Sequence, residues 1–166
     1  IMIVDPVQKK EVGSIKGLSY PARRDSMAFG PDGLLYVGTH YKNIMIVDPV
    51  QKKEVGSIKG LSYPASGGLA FGPDGLLYVG TWYKNIMIVD PVQKKEVGNI
   101  SRFLYYNTSH GLTFGPDGLL YFGTSGRQIM KVNVVTGQTS VIRGWGQNDT
   151  GVGVFGPDGT LYLGVF

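Results

Sequence analysis

Few residues in this chain are equipped to do chemistry. There is no cysteine, which removes disulfides, thiolate metal sites and cysteine nucleophiles together. Two histidines, His40 and His110, stand far apart in sequence. All three glutamates, Glu11, Glu54 and Glu96, fall in copies of one repeated segment, and Asp32, Asp74, Asp117 and Asp158 each sit inside Gly-Pro-Asp-Gly. That context makes the four aspartates turn formers rather than a carboxylate cluster. No phosphate loop, zinc spacing or nucleophile elbow is present. The remaining candidates suit recognition: Arg24, Asp25, His40, Tyr41, Trp82, Tyr83, His110, Arg127 and Trp145 combine aromatic faces with polar tips. Such a set stacks on a sugar or another flat polar ligand. Neither a metal nor a cofactor is expected.

The elements that position these residues follow from composition and repetition. The 166 residues are 42% apolar and only 17% charged, a globular balance, with 26 Gly and 9 Pro. That much Gly and Pro excludes a helical bundle and calls for short strands joined by tight turns. No apolar run is long enough to span a membrane as a helix. The net charge of +4 comes largely from Lys9-Lys10, Lys52-Lys53 and Lys94-Lys95, one recurring turn. These pairs form a solvated rim that discourages edge pairing, not the continuous stripe with interleaved aromatics that nucleic acid requires. Asn99, Asn107 and Asn148 stand in Asn-x-Ser/Thr sequons, relevant only in a glycosylating host.

Self-similarity decides the architecture. Residues 1–22 recur unchanged at 44–65, and their first thirteen return at 86–98. Phe-Gly-Pro-Asp-Gly begins at Phe29, Phe71, Phe114 and Phe155, a period of 41 to 43 residues. Each unit resolves into four strands, illustrated by A over 66–71, B over 76–81, C over 86–90 and D over 95–100. The chain opens with C and D and ends with A and B at 150–166. The expected fold is therefore an all-β propeller of four blades of about 42 residues, with repeats 1–43, 44–85, 86–128 and 129–166. It forms one domain, or half of a larger ring, over residues 1–166.

The run LYVGTxYKNIMIVDPVQKKEVGSI followed by GLAFGPDG resembles the YVTN and NHL groups of β-propellers over nearly the whole chain. That resemblance implies a fold more than a function. SHGLTFGPDGLLYFGTSGRQIMKV (109–132) is similar to a blade of virginiamycin B lyase. The resemblance implies a His opening strand A that works with a second His, a Glu and magnesium. His110 matches the first position, while Thr124 stands where such blades carry the acid and His40 lies in another blade.

Near-identical repeats expose the positions released from folding. The first two complete units differ in the D–A loop, Arg23 to Met27 against Ser66 to Leu69, and in the B–C loop, His40 against Trp82. In a propeller those loops share one face, so the candidate set converges there together with Arg23, Tyr105, Tyr106 and Asp149. Three functions are open: a non-catalytic scaffold or binding module built from amplified or engineered blades, a lectin-like propeller using this loop face, and a lyase-like enzyme. The first is expected. Four blades require about 90 degrees between neighbours, against roughly 45 to 60 degrees in six- to eight-bladed rings of this type. Two chains exchanging terminal strand pairs into an eight-bladed ring relieve that misfit, so the expected partner is a second copy; a four-bladed ring closed within one chain and a fragment of a longer chain are the alternatives. A glycan or small polar ligand remains possible for the loop face. Neither nucleic acid nor membrane is an expected partner.

Overall fold

The structure, a computed structural model, describes residues 1–101, 107–108, 111–126, 128–144 and 150–165. It is all-β. A hairpin of β1 (Met2–Asp5) and β2 (Lys10–Ser14) precedes three four-stranded antiparallel sheets. The first sheet holds β3 (Met27–Phe29), β4 (Leu35–Gly38), β5 (Asn43–Asp48) and β6 (Lys53–Lys59). The second holds β7 (Leu69–Phe71), β8 (Leu77–Gly80), β9 (Ile86–Asp90) and β10 (Lys95–Ile100). The third holds β11 (Leu112–Phe114), β12 (Leu120–Gly123), β13 (Gln128–Val132) and β14 (Thr139–Gly144). A hairpin of β15 (Thr150–Phe155) and β16 (Leu161–Val165) ends the series. Strands follow one another in chain order within every sheet. The expected C and D strands of the middle unit match β9 and β10, whereas its A strand is shorter: Gly67 and Gly68 still bond to Gly80 on β8, but Ser66 bonds to Pro64 and Arg23 instead.

Local chemistry makes the turns. In Gly30-Pro31-Asp32-Gly33 the Asp32 carboxylate accepts from the Leu34 amide at 3.1 Å and from the Tyr36 hydroxyl at 2.9 Å. Gly33 takes φ 77°, open to glycine at no steric cost. The C–D turn is an Asx turn: Asp48 Oδ1 accepts from the amides of Val50 and Gln51 at 2.8 and 2.9 Å. Each β2, β6 and β10 strand then carries a bulge, seen where Ile46 pairs with Gly56 but Val47 with Glu54. A bulge on the outermost strand twists it away from partners and blunts that edge.

Packing follows the period-two alternation of the strands. On β4, Leu35 and Val37 face the first hairpin with Met45 and Val47, while Tyr36 faces the second sheet with Ile44 and Ile46. β8 repeats the division, Leu77 and Val79 facing back and Tyr78 facing forward onto Leu112, Leu120 and Phe122. Both faces of these central strands are buried, which is why they are continuous apolar runs. Backbones of successive sheets meet along the first strands, β3 against β7, β7 against β11, and β11 against β15. Glycines permit that approach. A Cβ on Gly38 would lie 2.6 Å from the Ala65 carbonyl, and one on Gly80 would lie 2.7 Å from the Thr108 carbonyl.

Candidate functional site

Two regions stand out: the face carrying the loops between sheets, and the two ends of the series. On the loop face, the segments leading into β7 and β11 dock on the loop between second and third strands of the preceding sheet. Ala65 N donates to the Tyr41 carbonyl at 3.4 Å, and Thr108 N to the Thr81 carbonyl at 3.1 Å. Thr108 is fully buried, and its hydroxyl accepts from Thr81 N at 2.9 Å. In the loops themselves, Thr81 Oγ1 donates to Asn85 Oδ1 at 2.6 Å, and Thr39 bonds Asn43 in the same way. These hydroxyl and amide pairs close the loops; they are not free for a substrate.

The loop-face candidates divide into three groups. Arg24, Asp25 and His40 line an open cavity of about 430 Å³ with Ala22 and Arg23. Tyr41 packs on Tyr20 with ring centroids 4.9 Å apart, and Tyr83 stacks on Tyr63 at 5.0 Å. Trp82 is half exposed but carries the Arg23 guanidinium 4.7 Å above its ring. His110, Arg127 and Trp145, together with Tyr105, Tyr106 and Asp149, lie outside the described residues.

Arg23 is the residue whose importance exceeds its sequence signal. Its Nε donates to the Ser66 carbonyl at 2.9 Å, and its Nη1 lies 3.0 Å from His40 Nε2 while its guanidinium covers Trp82. Arg23 and Ser66 differ between otherwise repeated units, and so do His40 and Trp82. All four meet at one junction between the first two sheets. The differing positions thus build a clamp between sheets, a pattern that pairing the two lists of differences would have revealed.

On the opposite face, Asp32, Asp74 and Asp90 border an open cavity of about 440 Å³. Each is committed to its own turn, Asp90 through the Val92 and Gln93 amides at 2.9 and 2.8 Å. The backbone bond from Gln93 holds the Asp90 carboxyl below the usual carboxylate range, as that from Gln51 does for Asp48. No group of three His, Asp or Glu among the described residues could hold a metal. Thr124, where the lyase-like blade pattern carries an acid, is buried and donates its hydroxyl to the Gln128 carbonyl at 3.2 Å.

The ends have a different character. β1–β2 and β15–β16 remain separate two-stranded sheets. Beside β1 lies an open apolar groove of about 500 Å³, bordered by Met2, Val4, Ile15, Met27, Phe29 and Leu35. Met2 is 65% and Phe29 63% exposed, while Met45, the repeat counterpart of Met2, is fully buried.

Comparison with known proteins bears on the fold. No family model matches the chain, and no curated protein does. Among solved structures, a chain of Kuenenia stuttgartiensis hydrazine synthase is similar with a TM-score of 0.71 and 24% identity. The match covers 99% of this chain and 49% of that one, so the chain spans about half the length of its solved neighbour. Likeness extends to 735 solved chains, a breadth that makes the fold a poor guide to activity.

Proposed function

We propose that the chain is an arc of a β-propeller, a non-catalytic scaffold whose ring is completed by a second copy. One observation carries the proposal: three complete sheets are flanked by two half-sheets of complementary strand type, C and D at one end and A and B at the other. Contacts between successive first strands give the sheets a common inner side, as blades have around an axis. Two copies supply eight blade equivalents and pair every half with its complement. The repeat pattern that resembles YVTN and NHL blades supports the same architecture.

The scaffold reading is favoured over a ligand platform by the state of the loop face. Tyr41 packs at a tilt on Tyr20, Tyr83 stacks on Tyr63, Trp82 carries Arg23 on one face, and His40 is engaged by Arg23. It is favoured over lyase chemistry by Thr124, which closes its loop where an acid would be needed.

Light scattering tests the assembly. A species of twice the 18.0 kDa chain mass is expected, and a monodisperse particle of the single-chain mass overturns the ring of two. A glycan array and a magnesium-dependent assay on a cyclic ester test the function. Both should be silent; turnover lost on His110→Ala would replace the scaffold with an enzyme, and a glycan hit lost on Trp82→Ala with a lectin.

A further inference from the structure

Resting on that reading, we infer that the groove beside β1 is the seat of the β15–β16 hairpin of a second copy, in one defined register. The occupant joins β1–β2 there to make a composite four-stranded sheet.

The register comes from the complete sheets. Second and third strands pair Leu35 with Val47, Tyr36 with Ile46 and Val37 with Met45. The next sheet repeats this as Leu77 with Val89, Tyr78 with Ile88 and Val79 with Met87. β16 offers Leu161-Tyr162-Leu163, the same alternation, and residues 1–4 are identical to 44–47. The composite sheet therefore sets Leu161 opposite Val4, Tyr162 opposite Ile3 and Leu163 opposite Met2. A slip of one residue would turn the apolar set to the wrong face.

A ladder of aromatic contacts gives independent support. At each internal junction a second-strand tyrosine meets the phenylalanine of the next first strand edge-on: Tyr36 with Phe71, Tyr78 with Phe114 and Tyr121 with Phe155, centroids 5.0 to 5.2 Å apart. The same phenylalanines cover Gly30, Gly72 and Gly115, where a Cβ would lie 3.0 to 3.1 Å from the ring. Tyr162 and Gly156 are the next members, and among the described residues no phenylalanine covers Gly156. Tyr162 is 57% exposed, whereas Tyr36 is 3% exposed. At the other end Phe29 is the phenylalanine with no tyrosine before it. Seating the hairpin in the groove brings Tyr162 of one copy onto Phe29 of the other.

A third series of contacts is open at the same place. Glu54 accepts from Ser19 N, and Glu96 from Ser62 N, both at 2.8 Å, so the last strands of the first two complete sheets, β6 and β10, anchor the loop leaving the sheet before them. Glu11, their counterpart on β2, is exposed and faces the end of the series. Among the described residues, edge and ring lack partners at one end, and their complements lie at the other. A two-fold pair satisfies both ends at once, since each copy gives one hairpin and receives one.

The absence of native cysteine makes cross-linking a clean test. Two double variants, Val4→Cys with Leu161→Cys and Ile3→Cys with Tyr162→Cys, sample adjacent ladder positions, one of which is the closely spaced kind that accepts a disulfide. Val4→Cys with Tyr162→Cys is the off-register control. We expect oxidation to give a covalent dimer from at least one in-register pair and none from the control. A covalently closed single chain means that the hairpin returns to its own groove and overturns the second copy. Twofold mass by light scattering without an in-register cross-link leaves the ring of two and overturns this seam; single-chain mass removes both. Phe29→Ala, which keeps the backbone pairing, serves where a cysteine variant misfolds. It should retain the β-type circular dichroism spectrum and weaken association at least tenfold; unchanged association overturns the Tyr162–Phe29 contact.

Discussion

The internal junctions and the two ends of this chain are built from the same residues and differ only in what covers them. Tyr78 and Tyr162 occupy equivalent strand positions, yet the first is 2% and the second 57% exposed. Met45 and Met2 show the same contrast on the third strands. A repeat residue is therefore not intrinsically a core residue. Burial is conferred by the adjacent sheet, as in any repeat architecture where stability is largely a sum of neighbour interfaces. Where no sheet lies alongside, the same side chains are exposed, as Met2, Phe29 and Tyr162 are.

The comparison can be broken most directly at its two tyrosines. Tyr78→Ala removes a ring packed between two sheets and should cost about 3–5 kcal/mol, a Tm loss on the order of 10 °C. Tyr162→Ala should leave the folding of the isolated chain nearly unchanged and act on self-association. Equal losses in thermal melts under monomeric conditions would refute the distinction.

Alkaline pH probes the same junctions. Burial, reinforced by the Asp32 and Asp117 carboxylates, pushes Tyr36 and Tyr121 up to about 12 from 10.0, and Tyr78 is raised by the same causes with Asp74. The folded chain thus holds phenolic protons that the unfolded chain releases. Their stabilisation is complete below pH about 10 and disappears as pH rises towards about 12. Tyrosinate absorbance should appear together with loss of the β signal; early ionisation in a folded chain would contradict the Tyr–Asp hydrogen bonds.

A smaller effect is expected at the clamp. Arg23→Ala removes the contact with Trp82 and the bond to the Ser66 carbonyl, a loss of about 1–2 kcal/mol. Denaturant melts should show it, and Arg23→Lys should recover only part, because an ammonium cannot cover the ring and reach both partners. A full rescue would reduce the clamp to simple charge.

The smallest effect belongs to the C–D turns. Lys9, Lys52 and Lys94 all sit at φ 53°, a left-handed conformation that costs an L side chain roughly 1 kcal/mol, while the third sheet places Gly137 there at φ 72°. Lys52→Gly should stabilise by a few tenths of a kcal/mol up to about 1, since glycine's greater unfolded-state entropy offsets part of the relief. Gly137→Lys should move Tm the other way.

Much of the architecture was legible because the relevant signals are local. Gly-Pro-Asp-Gly dictates a hairpin wherever it occurs, and Asp-Pro-Val-Gln-Lys supplies its own carboxylate to cap its own turn. Period-two alternation and the repeat length then fixed strand order, including the C–D opening and A–B ending. The loop-face residues were found with less success. Tyr41 and Tyr83 look like free platforms in sequence, but each packs against another ring, Tyr20 and Tyr63, and a contact between segments about twenty residues apart leaves no local signature. Arg23 was hidden for the same reason, since its three partners come from three loops.

By itself the sequence determined the strands, their turns, their order and the identity of each apolar face, all set by backbone sterics and by groups within a few residues. Only the tertiary structure decided which equivalent faces are covered: Leu77, Val79 and Tyr78 are buried on both sides of one sheet, while Met2, Val4, Phe29 and Tyr162 lie open at the ends. The physical reason is that burial depends on a second surface arriving across space, and identical repeats carry no mark saying whether that surface is present.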